Sequence, residues 1–395
     1  MSGVVEVRLF VDRNYESINR LTLIFRNVIQ IIESVYFLNK SKNGILYYKT
    51  KGELEMKKFS FFITILMVTL LLIACGNSES DSKVAGAEGE TRTLKISLGL
   101  NDQTPLYKSS VKFKELVEAK TDSLKVEVYH SGTLADDRSA IEMLQFGTLD
   151  ITIPSTAPFT TFVPEYGVFD LPFLLTDTKI VDSVLQGEFG DELAEKASSQ
   201  GVLQLAWWEN GFRQLTNSKR AINSVEDIKG LKIRTMENEI HLAAWKEMGA
   251  NPTPMAFTEL FTAMQQKTID GQENPYPTIL LEKYPEVQKH LTETNHIYSP
   301  FIFLISQKVW DTLSDEEQKI IEEAALEAGE HNRELSRKTA TEALEELKVQ
   351  MEYTKLSESE INKLKETVQP VIEKFKSTIG EEFVQKYMDA IDKAK

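Results

Sequence analysis

From about residue 94 onwards, short strand-like segments alternate with longer helical ones, and this alternation constrains the fold most. Residues 94–100 (LKISLGL) alternate apolar and polar side chains as a strand does, and residues 107–119 have helical spacing. Further segments continue the pattern: strands at 124–129, 149–154, 202–207 and 231–235, and helices at 136–146 and 177–199. Alternating strands and helices predict an α/β fold with mostly parallel strand pairing.

The last third of the chain is mainly helical. Ser314 predicts the N-cap of a long helix over about 315–350, in which Gly329 is expected to allow a bend. Residues 357–395 predict two more helices, the first opened by a capping box of Ser357 and Glu360.

Residues 56–75 resemble a bacterial export signal and predict a lipoprotein signal peptide. Two lysines precede the apolar run 59–73, which is shorter than the roughly 20 residues of a membrane span. The run ends in Leu-Ile-Ala-Cys, which resembles the lipobox of bacterial lipoproteins and implies a lipid on Cys75, the only cysteine. Residues 76–92 are rich in Gly, Ser and Glu and predict a flexible tether.

Residues 1–55 show no lasting pattern. Lys51-Gly52-Glu53 can be encoded by a purine-rich string of the kind that bacterial ribosomes pair with upstream of a start codon. We therefore expect residues 1–55 to be an upstream extension and Met56 to be the true start. Mass spectrometry of the unprocessed precursor tests this hypothesis, and peptides recovered from residues 1–55 contradict it.

The charge balance and the inventory of reactive residues exclude several function classes. The whole chain carries a net charge of −15, and the part after Cys75 carries about −19, because the residues before it are net positive. Nucleic acid is therefore not an expected partner. The five histidines show no metal-ligand spacing, and no Gly-rich phosphate loop or GxSxG motif is present. The sequence predicts no metal, no cofactor and no enzymatic activity.

Two arginines are candidates for binding an acid. Arg234 ends the apolar strand in KIRTM, where the ligands of open α/β sheets gather. A guanidinium there can hold a carboxylate through two parallel hydrogen bonds. Arg213 lies beside aromatic residues and a glycine in WWENGFRQLTNS. The alternative is that each arginine merely pairs with an internal acid.

Several long motifs in order extend this interpretation: GTLADDRSAIEMLQFGTLD, FDLPFLL, GFRQLTNS, DIKGLKIR, GANPTPMAF and TIDGQENP. From about residue 93 to the C-terminus, the chain resembles the solute-binding proteins of tripartite ATP-independent periplasmic (TRAP) transporters, the dicarboxylate-binding-protein family. The resemblance implies a two-domain, periplasmic-binding-protein type II-like (venus flytrap) fold with crossing hinge strands and a long domain-spanning helix. It assigns 93–215 and about 300–395 to the first domain together with the C-terminal helices, and 216–299 to the second domain.

The resemblance also implies a function and a set of site residues. Such proteins close on an organic acid between their domains and deliver it to a permease of a small and a large membrane subunit. Arg234 matches the main carboxylate clamp of the family, and the other matching positions are Arg213, Asn274, Phe257, Asn101 and Asp137. Proximity to these motifs adds Glu209, Asn210, Glu237 and His241, and Trp207 or Trp208 as a stacking surface for a sugar ring.

The identity of the acid stays open between two main classes. Sialate-binding members carry charged groups where this chain has Ser155 and Pro158, which counts against sialate. The segments WENG and MENEIH favour a sugar acid such as a uronate or keto-gulonate, and a C4-dicarboxylate is the chief alternative. A sensor-linked binding protein and an extracytoplasmic enzyme are further, weaker alternatives. The expected location is extracytoplasmic, anchored to the cell membrane through Cys75.

Overall fold

The computed structural model describes residues 91–395, all of which belong to one compact unit. The predicted leader, lipidation site and upstream extension lie outside these residues. The strands, in chain order, are β1 (Arg92–Ser97), β2 (Leu124–Tyr129), β3 (Ile151–Thr152), β4 (Val202–Phe212), β5 (Gln214–Asn217), β6 (Lys232–Thr235), β7 (Asn251–Pro254), β8 (Gly271–Asn274), β9 (His290–Glu293), β10 (Tyr298–Ser306) and β11 (Glu352–Lys355).

Short 3₁₀-helices lie at Pro164–Asp170, Lys196–Gln200, Val225–Ile228 and Tyr284–Glu286, and the other helices are α-helices. They are α1 (Pro105–Lys120), α2 (Asp137–Phe146), α3 (Thr156–Phe159), α4 (Thr178–Leu185), α5 (Glu188–Glu195), α6 (Glu239–Glu247), α7 (Phe257–Gln265), α8 (Tyr276–Leu281), α9 (Gln307–Trp310), α10 (Asp315–Gln350), α11 (Glu358–Ile379) and α12 (Glu381–Ala394).

The strands form two sheets, each at the centre of one lobe. Lobe 1 contains the five-stranded sheet β2-β1-β3-β10-β4, and lobe 2 contains the six-stranded sheet β11-β9-β5-β8-β6-β7. In lobe 1, β1 is parallel to β2 and β3, whereas β10 is antiparallel to β3 and β4. In lobe 2, β5 is antiparallel to both of its neighbours and the other pairs are parallel. The sheets are therefore mixed, rather than mostly parallel as expected.

Two short segments carry the chain between the lobes. Strand β4 of lobe 1 continues into β5 of lobe 2 with only Arg213 between them, and residues 294–297 lead from β9 back to β10. The two segments are hydrogen-bonded to each other: Arg213 N–H donates to the Ile297 carbonyl at 2.9 Å, and Thr294 Oγ1 donates to the Arg213 carbonyl at 3.2 Å. They form the crossing connections that the family resemblance implies.

Helix α10 spans both lobes. Its 36 residues correspond to a length of about 54 Å at 1.5 Å per residue. Ser314 and Glu317 form the capping box at its start. The N-terminal half packs against α1 and β4 in lobe 1, and near the other end Leu347 lies in the core of lobe 2. The predicted helix bounds are confirmed, but the helix is continuous at Gly329.

Gly329 is required by close packing and not by a bend. A Cβ atom at this position would lie 2.9 Å from Nε1 of Trp208, whose side chain is buried. Trp208 Nε1 also donates to the Ala325 carbonyl at 3.1 Å, so the indole is held in place. The absence of a side chain at Gly329 thus lets the helix approach strand β4.

We expect Gly329→Ala to lower the melting temperature although alanine favours helix by about 1 kcal/mol over glycine. The added methyl group collides with the immobilised indole, and overpacking of this kind costs about 1–3 kcal/mol. Thermal unfolding of the ligand-free protein measures the effect. Glu330→Ala, an exposed change one residue further along the helix, is the control and should leave the melting temperature nearly unchanged. A more stable Gly329→Ala variant would contradict the packing argument.

Buried apolar side chains of the described residues form three hydrophobic cores. One lies between the lobe 1 sheet, α1 and α10, and a second lies in lobe 2 around α7 and α8. The largest joins the other face of the lobe 1 sheet to α6 of lobe 2 and to α11 and α12. Strand β11 pairs with β9, so this part of the segment 300–395 belongs to the second sheet and not to the first domain as predicted. Within residues 91–395, no helix is both long and apolar enough to cross a bilayer.

Candidate functional site

A cavity lies between the two lobes. The empty space within it is about 550 Å³, which includes open solvent at its mouth. Its walls come from both lobes, with Ser155 and Asn210 from lobe 1 and Arg234 and Asn274 from lobe 2. A molecule bound here would contact both lobes at once. Among residues 91–395, no cluster of His, Cys, Asp and Glu is suited to hold a metal ion.

Arg234 brings a fixed positive charge to this cavity. It lies in the short strand β6 and is only 2% exposed. The Met255 carbonyl accepts hydrogen bonds from its Nε at 2.9 Å and Nη2 at 2.6 Å. Among the described residues, Nη1 has no hydrogen-bond partner. Burial lowers the pKa of Arg234 to about 10, so the guanidinium stays protonated at neutral pH.

Two helices begin at the cavity wall. Helix α7 starts at Phe257, and its N-cap residue Ala256 provides no side-chain hydrogen bond to the first turn. Alanine is a poor N-cap, and although the Glu259 N–H donates to the Ala256 carbonyl at 3.3 Å, the backbone N–H groups of Phe257 and Thr258 remain available to an anion. Helix α2 starts from the N-cap Asp136, whose carboxylate accepts from Ser139 N–H. Asp136 therefore stabilises the start of α2.

The cavity also contains hydrogen-bond acceptors. Asp137 in the first turn of α2 and Glu237 after β6 both line it. The pKa of Asp137 is raised to about 6, mainly by burial and in part by the nearby charges of Asp136 and Glu237, while the backbone of Ser155 and the charge of Arg234 oppose the rise. Asn210 contributes an amide that donates to Ser155 Oγ at 3.1 Å. These groups lie in the same cavity as Arg234 and can accept hydrogen bonds from hydroxyl groups.

Arg213 lies behind the cavity and does not line it. Its guanidinium is fully buried and forms a two-pronged ion pair with the Glu273 carboxylate. Its Nη2 also donates to Asn274 Oδ1 at 3.1 Å, and Asn274 does line the cavity. The alternative considered from the sequence, pairing with an internal acid, therefore describes Arg213. It positions Asn274 and has no contact of its own with the cavity.

Glu209 and Trp208, both predicted to line the site, instead face helix α10. The Glu209 carboxylate accepts from Arg337 Nε at 2.7 Å, and Arg337 also pairs with Asp182. Trp208 packs against Gly329 as described above. Trp207, the other candidate for ring stacking, lies in the largest core beside Phe169. None of these side chains can contact a molecule in the cavity.

His241 and Asn101 also lie outside the cavity. His241 is fully buried in α6, with Nε2 at 2.8 Å from Asp170 Oδ1. Asn101 lies in the loop between β1 and α1 and contacts the end of α8. Six of the predicted residues do meet at the cavity: Arg234, Asn274, Phe257, Asp137, Asn210 and Glu237.

The sequence reasoning missed Arg138, which also lines the cavity. It lies in the first turn of α2, where the helix dipole disfavours a positive charge. Its only ion pair among the described residues is with Glu142 at 3.4 Å, and both side chains are largely exposed. An arginine in the first turn of a predicted helix could therefore have identified Arg138 as a candidate site residue. The apolar residues of the wall, such as Leu100, Met236, Met255 and Phe301, gave no such signal.

Comparisons with known proteins agree with this architecture. The family described as bacterial extracellular solute-binding protein, family 7 (DctP), matches residues 96–378. A solute-binding protein from Verminephrobacter eiseniae is 40% identical over 266 residues, which are 67% of this chain and 79% of that protein.

Two solved structures show the same fold with sugar acids bound. The sugar acid binding protein DctPAm from Advenella mimigardefordensis, in complex with galactonate, is 42% identical and has a TM-score of 0.77 over 78% of this chain and 100% of its own. A TRAP periplasmic solute-binding protein from Polaromonas sp. JS666, bound to D-erythronate, is 39% identical with a TM-score of 0.72 over 76% and 98%. The predicted two-domain venus flytrap fold is confirmed, and the chain belongs to the DctP family of TRAP-type extracellular solute-binding proteins.

Proposed function

We propose that this protein captures a hydroxylated organic acid, a sugar acid, in the cavity between its lobes and delivers it to a TRAP permease. The observation that carries this proposal is the combination of groups in one cavity. Arg234 and the uncapped start of α7 provide donors for one carboxylate, while Asp137, Glu237 and Asn210 provide acceptors for hydroxyl groups. The sugar acids bound by the two structural relatives support this class of ligand.

The balance of charge favours a monocarboxylate with hydroxyl groups over a dicarboxylate. Three carboxyl groups line the cavity (Asp136, Asp137 and Glu237) against the guanidinium groups of Arg138 and Arg234. A second carboxylate on the ligand would add repulsion at Asp137 and Glu237, whereas hydroxyl groups would donate to them. Capture would follow from closure, since a ligand that contacts both lobes favours the closed state by its differential affinity.

A C4-dicarboxylate is the second candidate, and Arg138 is the observation that favours it. Its guanidinium lines the same cavity as Arg234, and its pairing with Glu142 is long and exposed. A ligand with two carboxylates could use both arginines. The sugar-acid proposal gives Arg138 a smaller role, because one carboxylate is already matched by Arg234.

A thermal-shift screen against aldonates, uronates, succinate and malate separates the two candidates. Binding at about 1,000 times the dissociation constant stabilises the folded state by about 4 kcal/mol, which raises the melting temperature by several degrees. We expect sugar acids to do so, and we expect Glu237→Gln to weaken them more than Arg138→Gln does. Stabilisation by succinate or malate alone, abolished by Arg138→Gln, would favour the second candidate. No stabilisation by any acid would contradict both.

We also propose that a lipid on Cys75 retains the protein at the outer face of the cell membrane. The proposal rests on the lipobox-like sequence before Cys75, which the described residues do not include. Mass spectrometry of the mature N-terminus should find a diacylglyceryl group on this residue. Cys75→Ala should release the protein from the membrane fraction, and retention of that variant would contradict the assignment.

A further inference from the structure

A direct contact between the lobes lies outside the cavity. The backbone N–H of Asn101 donates to Glu282 Oε1 at 2.8 Å, and its Nδ2 donates to the Leu281 carbonyl at 2.8 Å. Asn101 follows β1 in lobe 1, whereas Leu281 and Glu282 end helix α8, whose Ile279 lies in the core of lobe 2. We refer to Asn101, Leu281 and Glu282 as the latch. Neither Asn101 nor Glu282 lines the cavity.

The remaining polar atoms of Asn101 are also engaged. Its Oδ1 accepts from Gln103 N–H at 2.9 Å, and its carbonyl accepts from Thr104 Oγ1 at 2.8 Å. Thr104 is the N-cap of α1, so the loop is held by the start of that helix. The donor groups of Asn101 are thereby presented to lobe 2 by a rigid turn. This geometry explains why Asn101, predicted to contact the ligand, does not reach it.

The contact made by Glu282 depends on the two lobes being close together. The Glu282 carboxylate is half-buried, and among the described residues no lysine or arginine pairs with it. Burial raises the pKa of Glu282, and the hydrogen bonds from Asn101 partly offset this effect. Separation of the lobes would replace these hydrogen bonds with water. The contact therefore distinguishes the closed state from an open one, and it involves no ligand atom.

We propose that the latch stabilises the closed state independently of the ligand and thereby sets how long a bound molecule is retained. Leu100, the neighbour of Asn101, lines the cavity, so the latch fixes the wall of the cavity directly. If only a fraction of the protein is closed, the apparent affinity is reduced by that fraction. The latch acts on this fraction. The proposal holds for any ligand that the cavity takes.

Three substitutions test the latch. Asn101→Asp keeps the acceptor for Gln103 N–H but replaces the Nδ2 donor with an oxygen that faces the Leu281 carbonyl. Glu282→Ala removes the acceptor of the Asn101 N–H. Glu282→Gln is the matched control, since its amide oxygen can still accept that hydrogen bond. All three are made in the full chain with Cys75→Ala, which leaves no native cysteine to compete for the spin labels.

Distances between the lobes provide a readout that needs no ligand. Spin labels at Lys125→Cys in lobe 1 and Gln266→Cys in lobe 2 occupy exposed positions. Without ligand, the fraction of molecules with the short distance of the closed state should fall in Asn101→Asp and Glu282→Ala. In Glu282→Gln this fraction should stay as in the unaltered protein. For an acid found in the thermal screen, the first two variants should release it about five to ten times faster, as expected from the loss of one or two hydrogen bonds.

The proposal is overturned if all three variants share the distance distribution and the release rate of the unaltered protein. It is also overturned if Glu282→Gln opens as much as Glu282→Ala. Melting temperatures of the ligand-free variants show that each is folded. Failure of the proposed ligand class would appear separately, as an absence of stabilisation by any acid, and would leave the distance measurement intact.

Discussion

Arg234→Ala is expected to abolish binding of the organic acid at ligand concentrations that saturate the unaltered protein. Removal of one partner from a buried, hydrogen-bonded charge pair costs about 2–5 kcal/mol, or roughly 30-fold to several thousand-fold in affinity. Arg234 is buried and protonated at neutral pH, so a bound carboxylate would lose its only fully buried cation at the cavity wall. Isothermal titration calorimetry with the acid found in the screen measures the loss.

Arg234→Lys separates charge from geometry. Lysine retains a positive charge but has no planar fork, so it cannot donate to the Met255 carbonyl and hold a carboxylate in the same arrangement. We expect its affinity to lie between those of the alanine variant and the unaltered protein. The melting temperature of each ligand-free variant shows whether loss of the bonds to Met255 disturbs folding. Affinity within threefold of the unaltered value for Arg234→Ala would contradict the role of this residue as the clamp.

Glu273→Ala is expected to cause the largest loss of stability among simple substitutions. It leaves the fully buried guanidinium of Arg213 without its carboxylate partner. Breaking a buried ion pair in this way typically costs about 3–5 kcal/mol, which lowers the melting temperature by on the order of 10 °C. Glu273→Gln keeps the shape and an acceptor oxygen and should lose less. Glu342→Ala, which removes an exposed partner of Lys338, is the control and should change little.

The contribution of Glu273 to the free energy of unfolding should depend on pH. Burial alone would raise the pKa of Glu273, but Arg213 and hydrogen bonding from His296 outweigh it and hold the pKa well below the ordinary value of 4.5. An acid whose pKa is lower in the folded than in the unfolded protein stabilises the folded state at pH values above its unfolded pKa. This stabilisation is lost progressively as the pH falls from the unfolded pKa towards the folded one. Urea unfolding should therefore show a smaller difference between Glu273→Ala and the unaltered protein at pH 3.5 than at pH 7. An equal difference at both values would contradict this linkage.

The sequence predicted correctly those parts of the fold that depend on interactions between residues close together in the chain. The cap at Ser314 and the end of the long helix at Gln350 follow from capping chemistry and composition, and both match the structure. The mixed pairing of the sheets did not follow from the alternation of strands and helices. In lobe 1 it arises because β10, on returning from lobe 2, pairs antiparallel with β3 and β4. The spacing of apolar residues within one strand does not reveal which distant strand it pairs with.

The side chains of strand β4 show why part of the site escaped prediction. Trp208 and Asn210 are two residues apart, so strict alternation would place both on one face of the sheet. The pairing with β10 shifts register between Ser299 and Pro300, which leaves Asn210 out of the ladder. A bulge of this kind redirects a side chain. Asn210 consequently lines the cavity while Trp208 packs against α10, and no sequence pattern in this chain announces the shift.

The two crossing connections differ in length, and this difference limits how the lobes can move. Where a single residue, Arg213, separates β4 from β5, only its two backbone torsions are free to change, and its guanidinium is already immobilised by Glu273. The two strand ends at this crossing can therefore rotate relative to each other but can hardly move apart. The segment 294–297 has four residues, but Gln214 of β5 accepts hydrogen bonds from the backbone N–H groups of Thr294 and Asn295, so the longer crossing is tied to the shorter one. We therefore expect opening to be a rotation about the two crossings at Arg213, with the cavity widening most at the point farthest from them.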